Sequence, residues 1–265
     1  LGDRLLAVGN QAAVPTAETY EYPATTKTWA KKTLSLNPPN LKAYSASFSG
    51  AAGKALLLGG RTTTSASPCA QDAWTYDSAG WKKIPLPDAQ GFVGEGSPLW
   101  STILPSGDVL AIGGNNCTTL GSRTDAWRWN GSAWSAASVT GCPVTSSGYK
   151  GGPIAADPSD GSSVLLVGAG DTWRWNGSAC SMAKAGGPIT GSSSFLKDDW
   201  MASDGDRLYL TNQKKIFSWS ATTGWAQVGT MQCTPFGGGR IAPGRFAFLC
   251  PGSGSATRTW EWAPK

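Results

Sequence analysis

The chain has 265 residues, which is enough for one large or two ordinary domains with a substantial core. Its 22 Lys and Arg residues only slightly outnumber its 17 Asp and Glu residues and form no basic run, which argues against a nucleic-acid partner. No apolar run approaches the ~20 residues that span a membrane, and the 14 Trp residues indicate a folded chain rather than low-complexity disorder.

A short apolar run recurs along the chain and ends in Gly or another turn-forming residue. The clearest copies are KALLLGG (54–60), DVLAIGG (108–114) and SVLLVGAG (163–170). Weaker copies lie at 4–10, 207–213 and 245–252. Apolar runs of this length, bounded by turn residues, predict buried β-strands.

An aromatic element follows each apolar run. In chain order these elements lie at 18–29, 72–81, 125–134, 171–180, 215–225 and 258–262. Their alternation, as in WRW at 127–129, places two aromatic side chains on one strand face. The two Asn-Gly pairs (130–131 and 176–177) predict two-residue hairpin turns with positive φ at both positions. The next aromatic residue then begins the partner strand.

A further strand precedes each apolar run, for example STILPSG at 101–107. Each unit therefore has four antiparallel strands and a period of roughly 40–55 residues, which is typical of propeller blades. An apolar strand ending in Gly-Gly, then an aromatic strand, then a Trp after a tight turn resembles the kelch repeat, from Arg4 to Trp262. The resemblance implies an all-β fold, a β-propeller of kelch-like four-stranded antiparallel blades.

Six copies predict six blades in a single β-propeller domain over residues 1–265. We expect repeat units at about 1–40, 41–90, 91–140, 141–186, 187–232 and 233–265. The first copy lacks its innermost strand, and the last copy stops before its outermost one. Either the terminal blades have three strands, or residues before Leu1 belong to the fold.

Six cysteines without any histidine favour disulfide bonds over a zinc site, and therefore a secreted or cell-surface protein. The start at Leu1 rather than Met agrees with removal of a signal peptide or an upstream region.

The cysteines can be placed on the expected fold. Cys117 follows an apolar strand and Cys142 lies in the next connection between blades, and the last two cysteines have the same relation in reverse order. We therefore expect the disulfides Cys117–Cys142 and Cys233–Cys250, and by elimination a third pair, Cys69–Cys180. Because other copies carry Trp at position 180, a buried free thiol at Cys180 is the alternative.

Of the 14 Trp residues, twelve fall in repeated aromatic positions, where packing between blades explains them. Five of these should be buried: Trp74, Trp127, Trp129, Trp173 and Trp175. The other two, Trp100 and Trp200, sit just before an innermost strand, in the connection between blades. Tyr44 holds a comparable place.

Because antiparallel strands reverse direction, these connections share one face with the loops that follow the apolar runs. That face gathers the candidate ligand-binding residues around the channel mouth: Tyr44, Trp100, Asp199, Trp200 and Arg240 from the connections, and Arg61, Asn115 and Asn116 from the loops. Aromatic plates mixed with Asn, Asp and Arg suit a sugar ring or a peptide, since the ring stacks while its hydroxyl groups need polar partners. The alternative is that Trp100 and Trp200 simply plug the channel.

Catalysis is disfavoured, and we expect no cofactor and no metal. Without histidine the chain cannot form a Ser-His-Asp triad or a His-ligated metal site. The architecture also resembles kelch-like copper oxidases, but their histidine ligands have no counterpart here. Calcium binding by the acidic turns at 157–160 and 204–206 is less favoured than ordinary turn chemistry.

The sequence thus predicts a secreted, non-catalytic recognition or adhesion module, most plausibly one that binds carbohydrate in the manner of a lectin. The first alternative is a protein-binding or assembly domain of a larger extracellular or filament protein. The second is a carboxylate-based polysaccharide lyase or hydrolase.

Overall fold

The computed structural model describes residues 4–9, 16–39, 42–49, 54–61, 72–87, 99–104, 106–114, 116, 123–143, 153–160, 164–168, 170–189, 200–235, 237–252 and 257–264. Within these residues the strands form six antiparallel sheets, three in each of two compact units, Leu1–Ala137 and Ser138–Lys265. No helix of this part of the chain is long and apolar enough to cross a membrane.

Unit 1 contains sheets 1 to 3. Sheet 1 consists of β1 (Arg4–Gly9), β2 (Glu18–Pro23) and β3 (Ala30–Lys31). Sheet 2 consists of β4 (Lys42–Ser49), β5 (Lys54–Arg61), β6 (Ala73–Asp77) and β7 (Gly80–Ile84). Sheet 3 consists of β8 (Leu99–Ile103), β9 (Val109–Gly113), β10 (Ala126–Trp129) and β11 (Trp134–Ala137).

Unit 2 contains sheets 4 to 6. Sheet 4 consists of β12 (Ile154–Ala156), β13 (Val164–Gly168), β14 (Asp171–Trp175) and β15 (Cys180–Lys184). Sheet 5 consists of β16 (Trp200–Ser203), β17 (Leu208–Asn212), β18 (Lys215–Ser220) and β19 (Gly224–Thr230). Sheet 6 consists of β20 (Gly237–Ala242), β21 (Arg245–Pro251) and β22 (Thr257–Trp262).

Each sheet falls within one of the six repeat ranges, and its strands pair in chain order. The first strands of successive sheets lie side by side, β4 next to β8 in unit 1 and β12, β16 and β20 in turn in unit 2. We call these the inner strands. β1 carries the apolar run of a second strand, so sheet 1 lacks an inner strand and sheet 6 lacks a fourth strand. The incomplete terminal blades are therefore confirmed for the described residues.

The second strands are apolar on both faces because a neighbouring sheet covers each face. In β5, Leu57 packs with sheet 1, whereas Leu56 and Leu58 pack with sheet 3. In β17, Leu208 and Leu210 pack with sheet 4, while Tyr209 packs with sheet 6. A strand enclosed on both sides needs a continuous apolar run rather than alternation, which is why these runs stand out in the sequence.

The aromatic elements form hairpins in which the last aromatic residue of the third strand lies opposite the first aromatic residue of the fourth strand. Ring centroids are 4.9 Å apart for Tyr76 and Trp81, and 5.3 Å apart for Trp129 and Trp134. Trp219 and Trp225 repeat the contact at 5.3 Å. Offset or tilted ring pairs of this kind stabilise by about 0.5–1.5 kcal/mol beyond their burial.

The Asn-Gly turns differ from the prediction. Four residues, 130–133, connect the paired Trp129 and Trp134, and positive φ occurs at Gly131 but not at Asn130. The Asn130 side-chain oxygen instead accepts hydrogen bonds from the main-chain N–H groups of Ser132 and Ala133, at 2.9 and 2.8 Å. This side-chain-stabilised turn gives Asn a conformation with negative φ, and the turn at 176–179 repeats it.

The Trp that begins a fourth strand donates its indole N–H to the preceding sheet. The Nε1–Oγ1 distance is 2.8 Å from Trp81 to Thr19 and 2.8 Å from Trp225 to Thr172. Trp134 donates to the main-chain oxygen of Pro85, at 2.9 Å. The same residue thus pairs within its own hairpin and ties its sheet to the one before.

In sheet 4 a disulfide bond replaces this indole contact. Cys180 stands at the Trp position, opposite Trp175, and bonds to Cys142 in the preceding connection, with Cα atoms 4.7 Å apart. The Cys180 N–H also donates to the Thr140 oxygen at 2.8 Å, which holds the two segments together. A free thiol at Cys180 is therefore excluded.

The predicted Cys117–Cys142 and Cys69–Cys180 pairs are wrong, because Cys180, at the start of the fourth strand of sheet 4, lies against the connection that precedes this sheet and bonds there to Cys142. The predicted Cys233–Cys250 pair is confirmed, with Cα atoms 5.9 Å apart. Cys69 and Cys117 lie outside the described residues. Two disulfides are compatible with an extracellular protein.

We predict that peptide mapping without reduction recovers the linked pairs Cys142–Cys180 and Cys233–Cys250. Digestion below pH 7 after alkylation of free thiols prevents exchange during the measurement. A linked Cys117–Cys142 peptide as the main species would contradict the arrangement of sheet 4.

A double-mutant cycle on Trp225 and Thr172 tests the indole contact. Trp225→Phe and Thr172→Val should each lower the free energy of unfolding by about 1–3 kcal/mol, because each leaves a buried polar group without its partner. The double variant should lose less than the sum, by about 1 kcal/mol, in urea unfolding. Strictly additive losses would show that the hydrogen bond contributes nothing.

Candidate functional site

The candidate residues of unit 1 gather at the end where the inner strands begin. Tyr44 lies near the start of β4, opposite Gly59, and Trp100 near the start of β8, opposite Ile112. Arg61 ends β5 at the same end of sheet 2. We call this end the β4–β8 rim, formed by the starts of β4 and β8, the end of β5 and the segment after β9.

Asn116 follows β9 and therefore also lies at the rim, half-buried. Asn115 is outside the described residues. The structure thus brings the main chains of Tyr44, Arg61, Trp100 and Asn116 to one end of unit 1, as the reversal of antiparallel strands predicts.

Trp100 is half-buried, and its indole nitrogen is enclosed without a hydrogen-bond partner among the described residues. A buried indole N–H normally finds an acceptor, and leaving one unpaired costs roughly 1–3 kcal/mol. The repeat does not require an aromatic residue here, because the inner strands β12 and β20 carry small or aliphatic residues at their starts. Neither the repeat pattern nor a hydrogen bond to the described residues therefore accounts for Trp100.

An ion pair at the rim was not anticipated from the sequence. The buried Arg123 guanidinium contacts both carboxylate oxygens of Asp125, with 2.9 Å between Nε and Oδ1. Trp127 donates its indole N–H to the Asp125 Oδ2 atom at 2.9 Å. The Arg123 N–H donates to the Gly114 oxygen at 2.8 Å, which joins the start of β10 to the end of β9.

The Asp125 carboxylate is held in its charged form. Burial would raise its pKa, but the hydrogen bonds from Arg123 and Trp127 outweigh burial, and its pKa lies below the usual carboxyl value. Its side chain is nevertheless 44% exposed. Asp125 therefore offers a fixed hydrogen-bond acceptor to the solvent at the rim.

Trp100 and Asp125 approach the rim from opposite faces of sheet 3. Trp100 shares a row with Ile112 and Ala126, whereas Asp125 and Trp127 belong to the alternate face. Two strand spacings separate β8 from β10, which corresponds to about 10 Å.

Trp200, in unit 2, packs against the next sheet. Its ring meets Phe246 and Phe248 edge-on, with centroid distances of 5.6 and 5.3 Å. Its main-chain N–H donates to the Thr211 hydroxyl at 3.2 Å. Packing between sheets 5 and 6 thus accounts for this residue, and Asp199 lies outside the described residues.

Arg240 does not share the end of unit 2 at which Trp200 lies. It sits near the hairpin end of β20, opposite Phe246, and its guanidinium passes beside Gly205 in the turn that follows β16. Trp200 begins β16, at the far end of that strand. The prediction of a shared face is wrong for Arg240, because β20 begins three residues before it and not after it.

The acidic turns of unit 2 have structural partners. Asp157 is buried and accepts hydrogen bonds from the Ser159 N–H at 2.9 Å and from Arg174 at 2.8 Å. Asp160 pairs with the same Arg174. Asp204 accepts from the N–H groups of Asp206 and Arg207. These contacts are those of ordinary turns.

No protein-family model and no curated protein matches the chain. Among solved structures, it is similar to a fungal alcohol oxidase of the AA5 family in complex with copper, with 11% identity and a TM-score of 0.51 over 98% of this chain and 71% of that one. It is also similar to YCF48 bound to D1 peptide, with 14% identity and a TM-score of 0.49 over 94% of this chain and 87% of that one. A third similar structure is that of a protein from Lactobacillus plantarum, with 12% identity and a TM-score of 0.49 over 98% of this chain and 82% of that one.

At these identities the similarity to the oxidase shows the fold alone. The oxidase is propeller-like, and the four-stranded antiparallel sheets of this chain are blade-like. The predicted fold class, an all-β propeller with four-stranded blades, is therefore confirmed.

We predict that Asp125→Asn lowers the free energy of unfolding by about 1–3 kcal/mol at pH 7, because Arg123 loses its charged partner. The folded pKa of Asp125 lies below the unfolded value of about 3.9, so its contribution is present above that pH and is lost as the pH falls further. Urea unfolding from pH 7 to pH 3 should show the two proteins converging.

Asp206→Asn, at an exposed turn position of unit 2, serves as the control for removal of one negative charge. A difference between wild type and Asp125→Asn that stays constant down to pH 3 would contradict the role of the Arg123–Asp125 pair.

Proposed function

We propose that this chain is a secreted, non-catalytic recognition module that binds carbohydrate at the β4–β8 rim. The observation that carries the proposal is the half-buried Trp100, with an indole N–H that has no partner among the described residues, at the same rim as the exposed carboxylate of Asp125. The kelch repeat is the family we propose for the scaffold, because an apolar strand followed by an aromatic strand recurs in every sheet.

The rim suits a sugar better than a wholly apolar ligand. A Trp ring can stack on the apolar face of a sugar ring, while the sugar hydroxyl groups need acceptors and donors. The Asp125 carboxylate supplies a fixed acceptor, and Asn116 adds an amide at the same end. Tyr44, Arg61 and Asn115 are the further contacts we expect, since their positions in the chain place them at this rim.

A binding role is supported over catalysis by the protonation chemistry. Glycoside hydrolysis by two carboxyl groups requires one with a raised pKa that can act as an acid. Asp125, the described carboxyl group at the rim, has a lowered pKa because of its hydrogen bonds from Arg123 and Trp127, and is therefore a poor proton donor. The sequence has no histidine to take the acid or base role instead.

Extracellular residence is supported by the disulfide bonds of unit 2, one of which occupies a position that other sheets fill with Trp. Disulfide bonds form and persist mainly in oxidising compartments.

We predict that Trp100→Ala weakens oligosaccharide binding by about tenfold or more, because it removes the stacking surface. Titrations with a panel of neutral and acidic oligosaccharides, followed by tryptophan fluorescence, measure the affinity.

Trp225→Phe, in unit 2, is the matched control, since it removes an indole from sheet packing and leaves the rim intact. It should bind like the wild type. Unchanged binding by a folded Trp100→Ala protein would place the ligand elsewhere.

A further inference from the structure

The hairpins of sheets 3 and 4 end in the same exposed turn, with the sequence NGSA at 130–133 and at 176–179. Asn130 follows β10, Asn176 follows β14, and both side chains are exposed. Each asparagine Oδ1 atom accepts three hydrogen bonds, two from the N–H and the hydroxyl group of the serine and one from the N–H of the alanine. The hydroxyl contact measures 2.9 Å for Ser132 and 3.1 Å for Ser178, so the two turns are built alike.

The corresponding turns of other sheets need only a side-chain oxygen at their first position. In sheet 2 this position is Asp77, whose Oδ1 atom accepts the Ala79 N–H at 2.8 Å. In sheet 5 it is Ser220, whose hydroxyl oxygen accepts the Thr222 N–H at 3.2 Å. Carboxylate and hydroxyl oxygens thus close such turns without an amide. The turns of sheets 3 and 4 therefore do not require the asparagine amide nitrogen or the serine hydroxyl group.

Those two groups define an acceptor sequence for N-linked glycosylation. The pattern is asparagine, any residue except proline, and then serine or threonine, and it is used on exposed segments of secreted proteins. The sequences at 130–132 and 176–178 both fit it. The amide nitrogen receives the sugar, and the third residue supplies the hydroxyl group that the pattern demands. The groups that the turn does not need are therefore the groups that glycosylation needs.

Both turns leave space for a glycan on the asparagine. All three hydrogen bonds end on Oδ1, so a substituent on Nδ2 breaks none of them. Gly131 and Gly177 are exposed, and a Cβ atom placed on either meets no described atom within 4 Å beyond the neighbouring residues. Ser132 and Ser178 are exposed as well. The folded turns therefore accommodate a bulky group without rearrangement.

The Asn130 turn lies away from the β4–β8 rim. The strand β10 begins next to Asp125 at the rim and runs to Asn130, roughly 17 Å further along the strand. A glycan on Asn130 is thus attached at the opposite end of sheet 3 from Trp100. A third matching sequence, at 116–118, begins with Asn116 at the rim, but this residue is half-buried and lacks the exposure that the two turns share.

We propose that Asn130 and Asn176 are acceptor sites for N-linked glycans. In the transfer, Nδ2 forms a bond to the anomeric carbon of an oligosaccharide that is carried on a lipid pyrophosphate. The bond between this carbon and the pyrophosphate oxygen breaks, Nδ2 loses one proton, and the lipid pyrophosphate leaves. Glycosylation at these sites rests on the secretory route proposed above and is independent of carbohydrate binding at the rim.

Mapping of the secreted protein tests both sites. The chain is secreted from cultured eukaryotic cells behind a cleavable signal peptide, and its glycopeptides are identified by mass spectrometry. Peptide-N-glycosidase then removes the glycans and converts each modified asparagine to aspartate, which locates the sites. We expect a glycan on most copies at both Asn130 and Asn176. The peptides report each site separately, so modification of Asn116 is not mistaken for either.

Variants of the Asn130 turn separate the sugar acceptor from the turn itself. Asn130→Asp should abolish the glycan and keep the fold, because Asp77 closes the corresponding turn with a carboxylate oxygen. Ser132→Ala should abolish the glycan as well, whereas Ser132→Thr, the matched control, should retain it because the hydroxyl group is kept. In all three variants the glycan on Asn176 should stay unchanged.

Two results would overturn the proposal. Folded, secreted protein with an unmodified Asn130 or Asn176 would show that this turn is not an acceptor. A Ser132→Ala protein with as much glycan on Asn130 as the wild type would show that the modification does not follow the acceptor sequence. Glycopeptides from a chain that is retained in the cells test both turns equally, whereas retention itself counts only against the secretory route.

Discussion

The fold depends on one requirement: an apolar second strand needs cover on both faces, as β5 and β17 receive from the neighbouring sheets of their own units. The aromatic hairpin meets it, since its paired rings cover the sheet's own core and the leading Trp reaches the preceding sheet through its indole N–H. The position of the leading Trp can hold a different residue, provided that this residue still bonds to the segment before its sheet. In sheet 4, Cys180 bonds covalently to the preceding connection where the other sheets use a hydrogen bond.

Because the repeated residues build the scaffold, a large aromatic residue outside the repeat pattern is a candidate for function. Trp100 is such a residue, and it lies where inner strands begin and loops from second strands return. The Arg123–Asp125 pair keeps a charged acceptor at the same rim. Trp200 satisfies the same sequence criterion but makes edge-on contacts with Phe246 and Phe248, so packing explains it. Of the two Trp residues outside the repeat pattern, Trp100 thus marks a candidate binding site and Trp200 marks an interface between two sheets.

The repeat made the sheets, their order and the incomplete terminal sheets predictable, because a strand covered on both faces has a continuous apolar sequence. The Cys142–Cys180 bond was missed since pairing depends on which segments meet between sheets, which spacing alone does not give. Arg240 was misplaced because GGGR reads as a loop, whereas Gly237–Ala242 forms a strand. One weak indication of the Arg123–Asp125 pair was present in the sequence, namely an Arg two residues before one copy of the repeated Asp-Ala-Trp.

Hydrogen exchange measured with and without a bound oligosaccharide tests the central claim most directly, namely that the β4–β8 rim is a carbohydrate site. The account predicts slower exchange at the start of β8 and in residues 123–127, with no change in the aromatic hairpins of unit 2. A bound sugar that slows exchange only outside unit 1, or an array of glycans that yields no binding at all, would contradict it.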